Sequence, residues 1–343
     1  MRPPNSMCRL MSLLAVLMFC LGCGAEDDGG TADGGTTDEG SADRGTGGDT
    51  PRAMITIHID PDGPNQTNAT AENWDRLAAL VAAADAHGHK LTLLMSASWV
   101  DVASDPARQA DLKNWIENGH QLGFHHHTCG HSSPDGYRDV MGERCKNAAD
   151  LGSVAVAFAK VRDLATAMNL PTAPNSNVDT AAQGPNPNGI YRAAEWQPEA
   201  IYATGEMSDN ADGHSNHRFI TLPRCATGYG NNYGGVSASY QVPEMGHAQL
   251  DVGSFTKIKS QNNLTALEAD VDLVLGEEHA NMGVQIGVVF HAREYTAKPR
   301  NAEGDNYDDD KAYLNAVFQL FVDKGVPVVT VREILTSADP CAQ

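Results

Sequence analysis

The chain has 343 residues, with 44 acidic and 24 basic side chains and a formal net charge of -20. A nucleic-acid partner requires clustered Lys and Arg against the phosphates, so this balance argues against nucleic acid and against a polyanionic substrate. The first fifty or so residues are not expected to fold, and the remaining 290 or so suffice for one large domain or two small ones.

Residues 1–22 are typical of a signal peptide. Two arginines precede the apolar run Leu10–Leu21, which is too short to span a bilayer. The segment Cys-Leu-Gly-Cys that ends at Cys23 resembles a bacterial lipobox, in which this cysteine becomes the acylated first residue and the lipid anchor. Because Cys20 stands where Leu is usual, release by ordinary signal peptidase is the alternative. The sequence predicts an exported protein, either a membrane-anchored lipoprotein of the cell envelope or a secreted one.

Residues 23–52 are an acidic stretch of Gly, Asp and Thr. Within it, residues 24–50 contain no aromatic side chain and no aliphatic one larger than Ala. Such a segment buries too little apolar surface to offset the entropy lost on ordering. We therefore expect a disordered linker here, followed by one folded domain over residues 53–337.

Strand and helix patterns alternate after the linker. Met54–Ile59 predicts a strand, and residues 72–87 predict an amphipathic helix. The other elements expected are strands at 90–96, 120–124, 284–290 and 326–331, and helices at 106–118, 149–169, 264–281 and 310–324. This alternation favours parallel βαβ units and an α/β fold.

The middle of the chain, residues 171–262, has a different character. It is rich in Asn, Gly, Pro and Tyr, with one expected strand at 196–202 and a long polar loop at 205–217. Loops of this length in a compact domain are either functional or disordered, and composition does not distinguish the two.

The first polar cluster is Asp60-Pro61-Asp62, directly after the first strand. Asp60 shares a strand face with Thr56 and His58. Two unpaired carboxylates this close would raise one pKa, whereas a bound divalent cation would keep both ionised. A plain turn is the alternative, since Asp, Pro and Gly all favour turns.

The second cluster places five histidines within residues 120–131. His127 and His131 have the spacing that brings two rings to one side of a turn, and His125 and His127 share one face of an extended strand. Imidazole suits Zn2+ and comparable ions such as Co2+ or Ni2+. The pattern predicts a divalent metal site, with a chance surface cluster as the alternative.

A third candidate, His291, ends the late strand that begins near Gly287. Taken alone, it reads equally as a core histidine at a strand end. All three clusters follow predicted parallel strands, and the carboxyl ends of such strands meet at one mouth of a barrel. We therefore expect the three clusters to form one site.

Three segments resemble the motifs of NodB-type polysaccharide deacetylases, carbohydrate esterase family four. Ile57–Pro64 resembles Thr-Phe-Asp-Asp-Gly-Pro with Pro61 inserted between the aspartates. Gly119–His131 resembles Gly-His-Glu-Ile-Gly-x-His-Thr-x-x-His with two additional residues, and Gly287–His291 resembles the late strand that ends in the acid histidine. The similarity runs over about residues 54–335 and implies a distorted (β/α) barrel of this family's type.

The resemblance implies a metal-dependent hydrolase that removes N- or O-acetyl groups from a cell-wall or extracellular glycan. Asp60 would be the general base and His291 the general acid. The implied metal ligands are Asp62, His131 and either His125 or His127. Such a protein would bind an acetylated glycan and is expected to be a monomer.

One family motif is incomplete. In the family, an Arg followed by a Pro-bearing loop orients the base. Here the motif is represented at best by Ala173–Ser176, which contains no Arg. Arg293 is the candidate to replace the missing arginine. This departure leaves two other functions open. The chain could be an inactive, metal-holding glycan-binding lipoprotein, or an amidase of the same fold that acts on a small molecule.

Four cysteines remain beyond Cys23, and they allow three pairings: Cys129, Cys145, Cys225 and Cys341. An oxidising compartment favours one or two disulfides. The separation of 16 residues makes Cys129 to Cys145 the simplest expected pair. Four buried thiols are the alternative.

Overall fold

The computed structural model describes residues 50–64, 67–129, 131, 133–138, 145, 148–170, 178–183, 202–206, 217–226, 242–250, 263–276, 283–298 and 307–342. Residues Gly47–Gln343 form one compact unit. The expected signal peptide, nearly all of the linker, and the segment Ala173–Ser176 lie outside the described residues. Most of the strand expected at 196–202 and of the loop expected at 205–217 lies outside them as well.

The strands are β1 (Ala53–Ile59), β2 (Thr92–Met95), β3 (Gln121–His126), β4 (Tyr137–Arg138), β5 (Gly152–Ser153), β6 (Val178–Gln183), β7 (Tyr202–Glu206), β8 (Ile220–Thr221), β9 (Arg224–Ala226), β10 (Val242–Gln249), β11 (Gln285–His291) and β12 (Val328–Val329). The helices are α1 (Ala71–Ala86), α2 (Val100–Ala103), α3 (Pro106–Glu117), α4 (Val154–Ala167), α5 (Leu264–Leu275), α6 (Asp310–Asp323) and α7 (Val331–Ala338).

Seven parallel strands close into a barrel. They pair in the order β1, β2, β3, β6, β7, β10 and β11, and β11 pairs in turn with β1. The barrel is distorted by short antiparallel pairings of β8 and β9 and by a register shift in β3 between Leu122 and Phe124. The structure thus confirms the α/β class and the distorted barrel expected from the sequence.

Strand β1 lies at the centre of this arrangement. All seven of its residues are buried, as expected for a parallel strand covered on both sides. Ile55, Ile57 and Ile59 pack into the main hydrophobic core, and alternation directs His58 to the other face. Burying such a large aliphatic side chain contributes about 1.5–3 kcal/mol, so the register of β1 is strongly specified.

Several elements differ from the sequence expectation, since the short helix α2 and the strands β4, β5, β6, β8, β9 and β10 were not expected. Strand β3 extends to His126, so His125 and His126 belong to the strand itself. Helix α7 was not expected, because the chain after Val329 reads only as the end of a strand. Its signal is a capping box, in which Thr330 accepts a hydrogen bond from the Glu333 N–H and the Glu333 carboxylate accepts one from the Thr330 N–H.

Two disulfides link the four downstream cysteines. Cys129 pairs with Cys145, which confirms the pair expected from the sequence, and Cys225 pairs with Cys341. The first closes a short segment directly after β3, and the second joins β9 to the C-terminal end of the chain.

Among the described helices, none combines the length and the apolar character needed to cross a bilayer.

Candidate metal and catalytic site

Asp60 is the centre of the candidate site. It follows β1 directly and is 5% exposed. Its Oδ1 lies 3.5 Å from His125 Nε2 and 3.6 Å from His127 Nε2, and its Oδ2 lies 3.7 Å from His291 Nε2. The Arg293 guanidinium also donates a hydrogen bond to Oδ2. The carboxyl ends of β1, β3 and β11 therefore meet at one carboxylate, as the parallel barrel predicts.

The surroundings of Asp60 determine its charge. Burial raises the pKa of this carboxyl, but the neighbouring histidines, led by His291, and the Arg293 guanidinium outweigh that effect. The pKa of Asp60 therefore lies well below its usual range. Asp60 is an anion at neutral pH, and the site has a fixed negative charge to offer a cation or a proton donor.

The backbone of Asp60 is fixed by the segment after β2. The indole N–H of Trp99 donates to the Asp60 carbonyl at 2.7 Å. Trp99 itself is buried beside Trp74, which stacks on Trp115. An aromatic cluster between α1 and α3 therefore supports the turn that carries the central carboxylate.

His291 is held by a carboxylate that the sequence analysis missed. Glu294 Oε2 accepts from the His291 N–H at 2.8 Å, and Oε1 lies 3.1 Å from His291 Nδ1. Burial lowers the pKa of His291, but Asp60 and Glu294 outweigh it and raise the pKa to about 9. His291 is thus an imidazolium at neutral pH, with Nδ1 donating to Glu294 and Nε2 towards Asp60. The capping spacing between His291 and Glu294 was the available signal.

A group of three buried residues could hold a metal ion. One ligand atom each from His58, Asp60 and His125 lies within 4.8 Å of the others. The His58 ring stacks on that of His125, with centroids 4.1 Å apart. In the described part of the chain, Asp60 Oδ1 and both ring nitrogens of His125 are buried without a hydrogen bond. His58 was missed as a candidate ligand, although strand alternation placed it on the same face as Asp60.

His127 and His131 lie together, as their spacing predicts. Their ring centroids are 3.9 Å apart, and the His131 N–H donates to the Thr128 carbonyl to form the turn between them. Ser133 contacts both rings. His127 Nδ1 lies 2.9 Å from the Ser133 carbonyl, and the Ser133 N–H donates to His131 Nδ1 at 3.0 Å.

The charge of His127 differs from that of His291. Burial, followed by the proximity of His125, holds the pKa of His127 well below its usual range. Because its Nδ1 donates to the Ser133 carbonyl, the lone pair of the neutral ring is on Nε2, which faces Asp60. The site thus combines one neutral and one protonated imidazole on opposite oxygens of a single carboxylate.

Asp62 is engaged elsewhere. Its Oδ1 accepts from the Asn68 N–H at 2.6 Å and from the Ala69 N–H at 2.9 Å, and its own N–H donates to Ser98 Oγ at 3.0 Å. These contacts close the loop between β1 and α1. Asp62 does not belong to the three-residue group around Asp60. Its role as a metal ligand remains a prediction.

No family model and no curated protein matches the chain. Among solved structures, the chain is similar to peptidoglycan deacetylase PdaC from Bacillus subtilis, with a TM-score of 0.38, 11% identity, and coverage of 86% of this chain and 95% of that one. It is also similar to a proposed polysaccharide deacetylase from Mycobacterium smegmatis, with a TM-score of 0.46, 8% identity and coverage of 86% and 92%.

A third similar structure is a 4-alpha-glucanotransferase from Thermococcus litoralis, with a TM-score of 0.48, 12% identity and coverage of 84% of this chain but 40% of that one. These neighbours differ from this chain at most positions, so the chemistry of the site has to follow from its own residues.

Proposed function

We propose that this chain is a metal-dependent hydrolase that removes N- or O-acetyl groups from a cell-wall or extracellular glycan. The observation that carries the proposal is the buried Asp60 carboxylate. Imidazoles at the end of β3 lie beside its Oδ1, and the imidazole of His291 at the end of β11 lies beside its Oδ2. A fixed anion between a neutral and a protonated histidine can serve acid–base chemistry and hold a divalent cation. We assign this chemistry to a catalytic domain over residues 53–337.

The residues present fit a divalent ion. His58, Asp60 and His125 supply two imidazoles and one carboxylate, a donor set that suits Zn2+ and also Co2+ or Ni2+. The buried Asp60 Oδ1 and the ring nitrogens of His125 make no hydrogen bond in the described part of the chain. Since buried polar atoms are normally satisfied, a cation is a reasonable missing partner for them. Three protein ligands would leave a position open for catalysis.

The ion, when bound, would polarise an acetyl carbonyl and lower the pKa of a water molecule. His127 Nε2 is placed to accept the proton of the attacking water, since Nδ1 of this neutral ring is committed to Ser133. This geometry differs from the sequence-based assignment, in which Asp60 is the base and Asp62 a ligand. Arg293 keeps the Asp60 carboxylate ionised and fixes its orientation in either scheme.

The leaving group requires an acid. Water adds to the acetyl carbon, the bond from that carbon to nitrogen or oxygen breaks, and the departing amine or alkoxide takes a proton. His291 is protonated at neutral pH, and its Nε2 is the available donor because Glu294 holds Nδ1. The products are acetate and a free amine or hydroxyl on the sugar.

Export is part of the proposal. The two disulfides fit a protein that folds in an oxidising compartment. We propose that residues 1–22 direct export, that residues 23–52 form a linker, and that acylation of Cys23 anchors the chain at the cell envelope.

The experiment is acetate release from acetylated chito-oligosaccharides, acetylated xylan and peptidoglycan by the purified chain. The chain is first treated with a chelator and then reloaded with Zn2+, Co2+ or Ni2+. We expect release from at least one glycan, its loss on chelation and its recovery on reloading. His291→Gln should abolish it, and Asp85→Asn, in α1 and paired with His120 before the start of β3, serves as the control. Metal binding without release would favour the inactive glycan-binding alternative, and release only from a small amide would favour the amidase alternative.

A further inference from the structure

A second buried aspartate lies behind the histidine cluster. Asp135 is 7% exposed and follows the loop that begins after β3. Its Oδ2 lies 2.8 Å from His126 Nδ1, and its Oδ1 accepts from the Tyr137 N–H at 2.9 Å. The Asp135 N–H in turn donates to the His127 carbonyl at 3.2 Å. Asp135 therefore connects the end of β3, through His126 and the His127 carbonyl, to the loop that continues to Tyr137.

This arrangement places His126 on the outer side of the strand. His126 is 1% exposed and stacks beside Phe124, which packs against Phe158 of α4. His125 and His127, on either side of it, face Asp60 instead. A carboxylate oxygen accepts hydrogen bonds, so His126 donates from Nδ1 to Asp135. His126 thus connects Asp135, on the outer side of the strand, to its neighbours His125 and His127, whose rings face Asp60.

The loop held by Asp135 carries the backbone that orients His127. The Ser133 carbonyl, two residues before Asp135, lies 2.9 Å from His127 Nδ1. That contact decides which nitrogen of His127 bears the proton, and so leaves the lone pair on Nε2. The contact comes from the backbone, so the Ser133 side chain is not needed for it. What matters is the position of the loop.

We propose that Asp135 is a positioning residue that, through His126 and the loop over Ser133, fixes the tautomer and orientation of His127. The inference deepens the proposed function, in which His127 accepts the proton of the attacking water. In the described part of the chain, Asp135 contacts His126, the Tyr137 N–H and the His127 carbonyl, and none of its hydrogen bonds is with Asp60. Its effect passes through the hydrogen bonds at both of its oxygens.

The primary test is Asp135→Asn. An amide has one acceptor oxygen, so either His126 Nδ1–H or the Tyr137 N–H loses its buried partner in each orientation of the side chain. We expect the loop to shift and His127 to lose its Nδ1-protonated form. Heteronuclear NMR of the imidazole nitrogens in the full metal-free chain measures this directly, with no dependence on activity. On the metal-loaded chain, kcat for acetate release should fall by about 10-fold or more with little change in KM, since small misplacements of a reacting group have effects of this size.

Two control variants separate positioning from general stability. Asp85 pairs with His120 at the amino end of β3, with 3.1 Å between Asp85 Oδ1 and His120 Nε2. Asp85 lies in α1 and His120 directly precedes β3, so Asp85→Asn perturbs a pair at the end of the strand that is remote from the site. It should lower the melting temperature while leaving the His127 tautomer and kcat unchanged. Ser133→Ala keeps the backbone carbonyl and should match the parent in both readouts.

The outcomes are distinguishable. If Asp135→Asn keeps the Nδ1-protonated His127 and the parent kcat, the positioning role is refuted. If the parent releases no acetate from any glycan, the proposed function fails, and the NMR comparison still decides the role of Asp135. If Asp135→Asn does not fold, His126→Leu removes the donor while keeping an apolar side chain beside Phe124. His126→Leu should then show the same change at His127, and a parent-like tautomer there would overturn the inference.

Discussion

The guanidinium of Arg293, two residues after the end of β11, donates a hydrogen bond to Asp60, the first residue after β1. The Asp60 side chain is almost fully buried, whereas about a third of the Arg293 side chain is exposed. Strand pairing aligns His58 with His291 and so brings the two strand ends together. We therefore propose that Arg293 takes the place of the arginine that the segment Ala173–Ser176 lacks.

Replacing Arg293 should weaken catalysis more than folding. Arg293→Gln removes the charge that helps keep Asp60 ionised, so acetate release should fall by roughly 10- to 100-fold, the range typical for loss of a partner that orients a site residue. Arg293→Lys keeps the charge but not the planar set of donors, and should retain intermediate activity. Steady-state kinetics with one acetylated oligosaccharide measures the series. Equal activity in all three proteins would argue against this role.

His291 should set the alkaline limit of activity. Its pKa of about 9 means that the acid form is fully present at neutral pH and is lost as the pH rises through about 9. The same shift stabilises the fold below the unfolded pKa, near 6.5, and this stabilisation is also lost as the pH rises through the folded pKa.

Glu294→Gln removes one of the two carboxylates that raise this pKa. The alkaline limb of kcat should therefore move towards lower pH in Glu294→Gln, and the pH profile of the variant is the measurement. A limb that stays where the parent has it would show that another group controls the decline.

The two disulfides should differ in their contribution to stability. They close loops of 16 and 116 residues, and loop-closure entropy gives about 3 kcal/mol for the first and about 5 kcal/mol for the second. Denaturant unfolding of the double Ser variants of each pair measures both. The pair Cys129–Cys145 closes the segment directly after β3, the strand that carries the ligand His125, so only the loss of this pair should also weaken metal binding. Equal metal affinity in the two variants would contradict that expectation.

Cys23 decides between anchoring and release. If it is acylated, Cys23→Ser should move the protein from the membrane fraction to the soluble exported fraction of the producing cells. The Cys20→Leu variant is the control, because it brings the segment closer to the usual lipobox and should remain with the membrane. An unchanged distribution of Cys23→Ser would argue for release by ordinary signal peptidase.

Much of the site could be predicted because it depends on strand ends. Asp60, His125, His127 and His291 follow or end buried strands, and a parallel barrel brings such ends to one rim. The resemblance to the deacetylase motifs selected these four residues, and with them Asp62 and His131 as metal ligands. The closed ring of strands then makes their proximity a consequence of the topology.

The missing parts depend on contacts that alternation and spacing do not encode. His58 meets His125 only because the barrel closes and brings their rings together, although β2 separates their strands. Asp62 accepts hydrogen bonds from two backbone N–H groups in the loop before α1, a contact that a sequence motif does not encode. The pairing of Asp135 with His126 arises from the path of a loop, whose conformation the sequence leaves open.

The central claim is that the metal centre includes Asp60, and bound metal per chain in two matched variants tests it most directly. Asp60→Asn removes the charged oxygen at the centre of the histidine group, and Asp62→Asn keeps an acceptor for the Asn68 and Ala69 N–H groups. After loading with Zn2+ and removal of free ion, we expect about one ion per chain in the parent and in Asp62→Asn, and a large loss in Asp60→Asn. Loss of the ion in Asp62→Asn with full occupancy in Asp60→Asn would contradict the claim and restore the assignment of Asp60 as a base outside the metal centre.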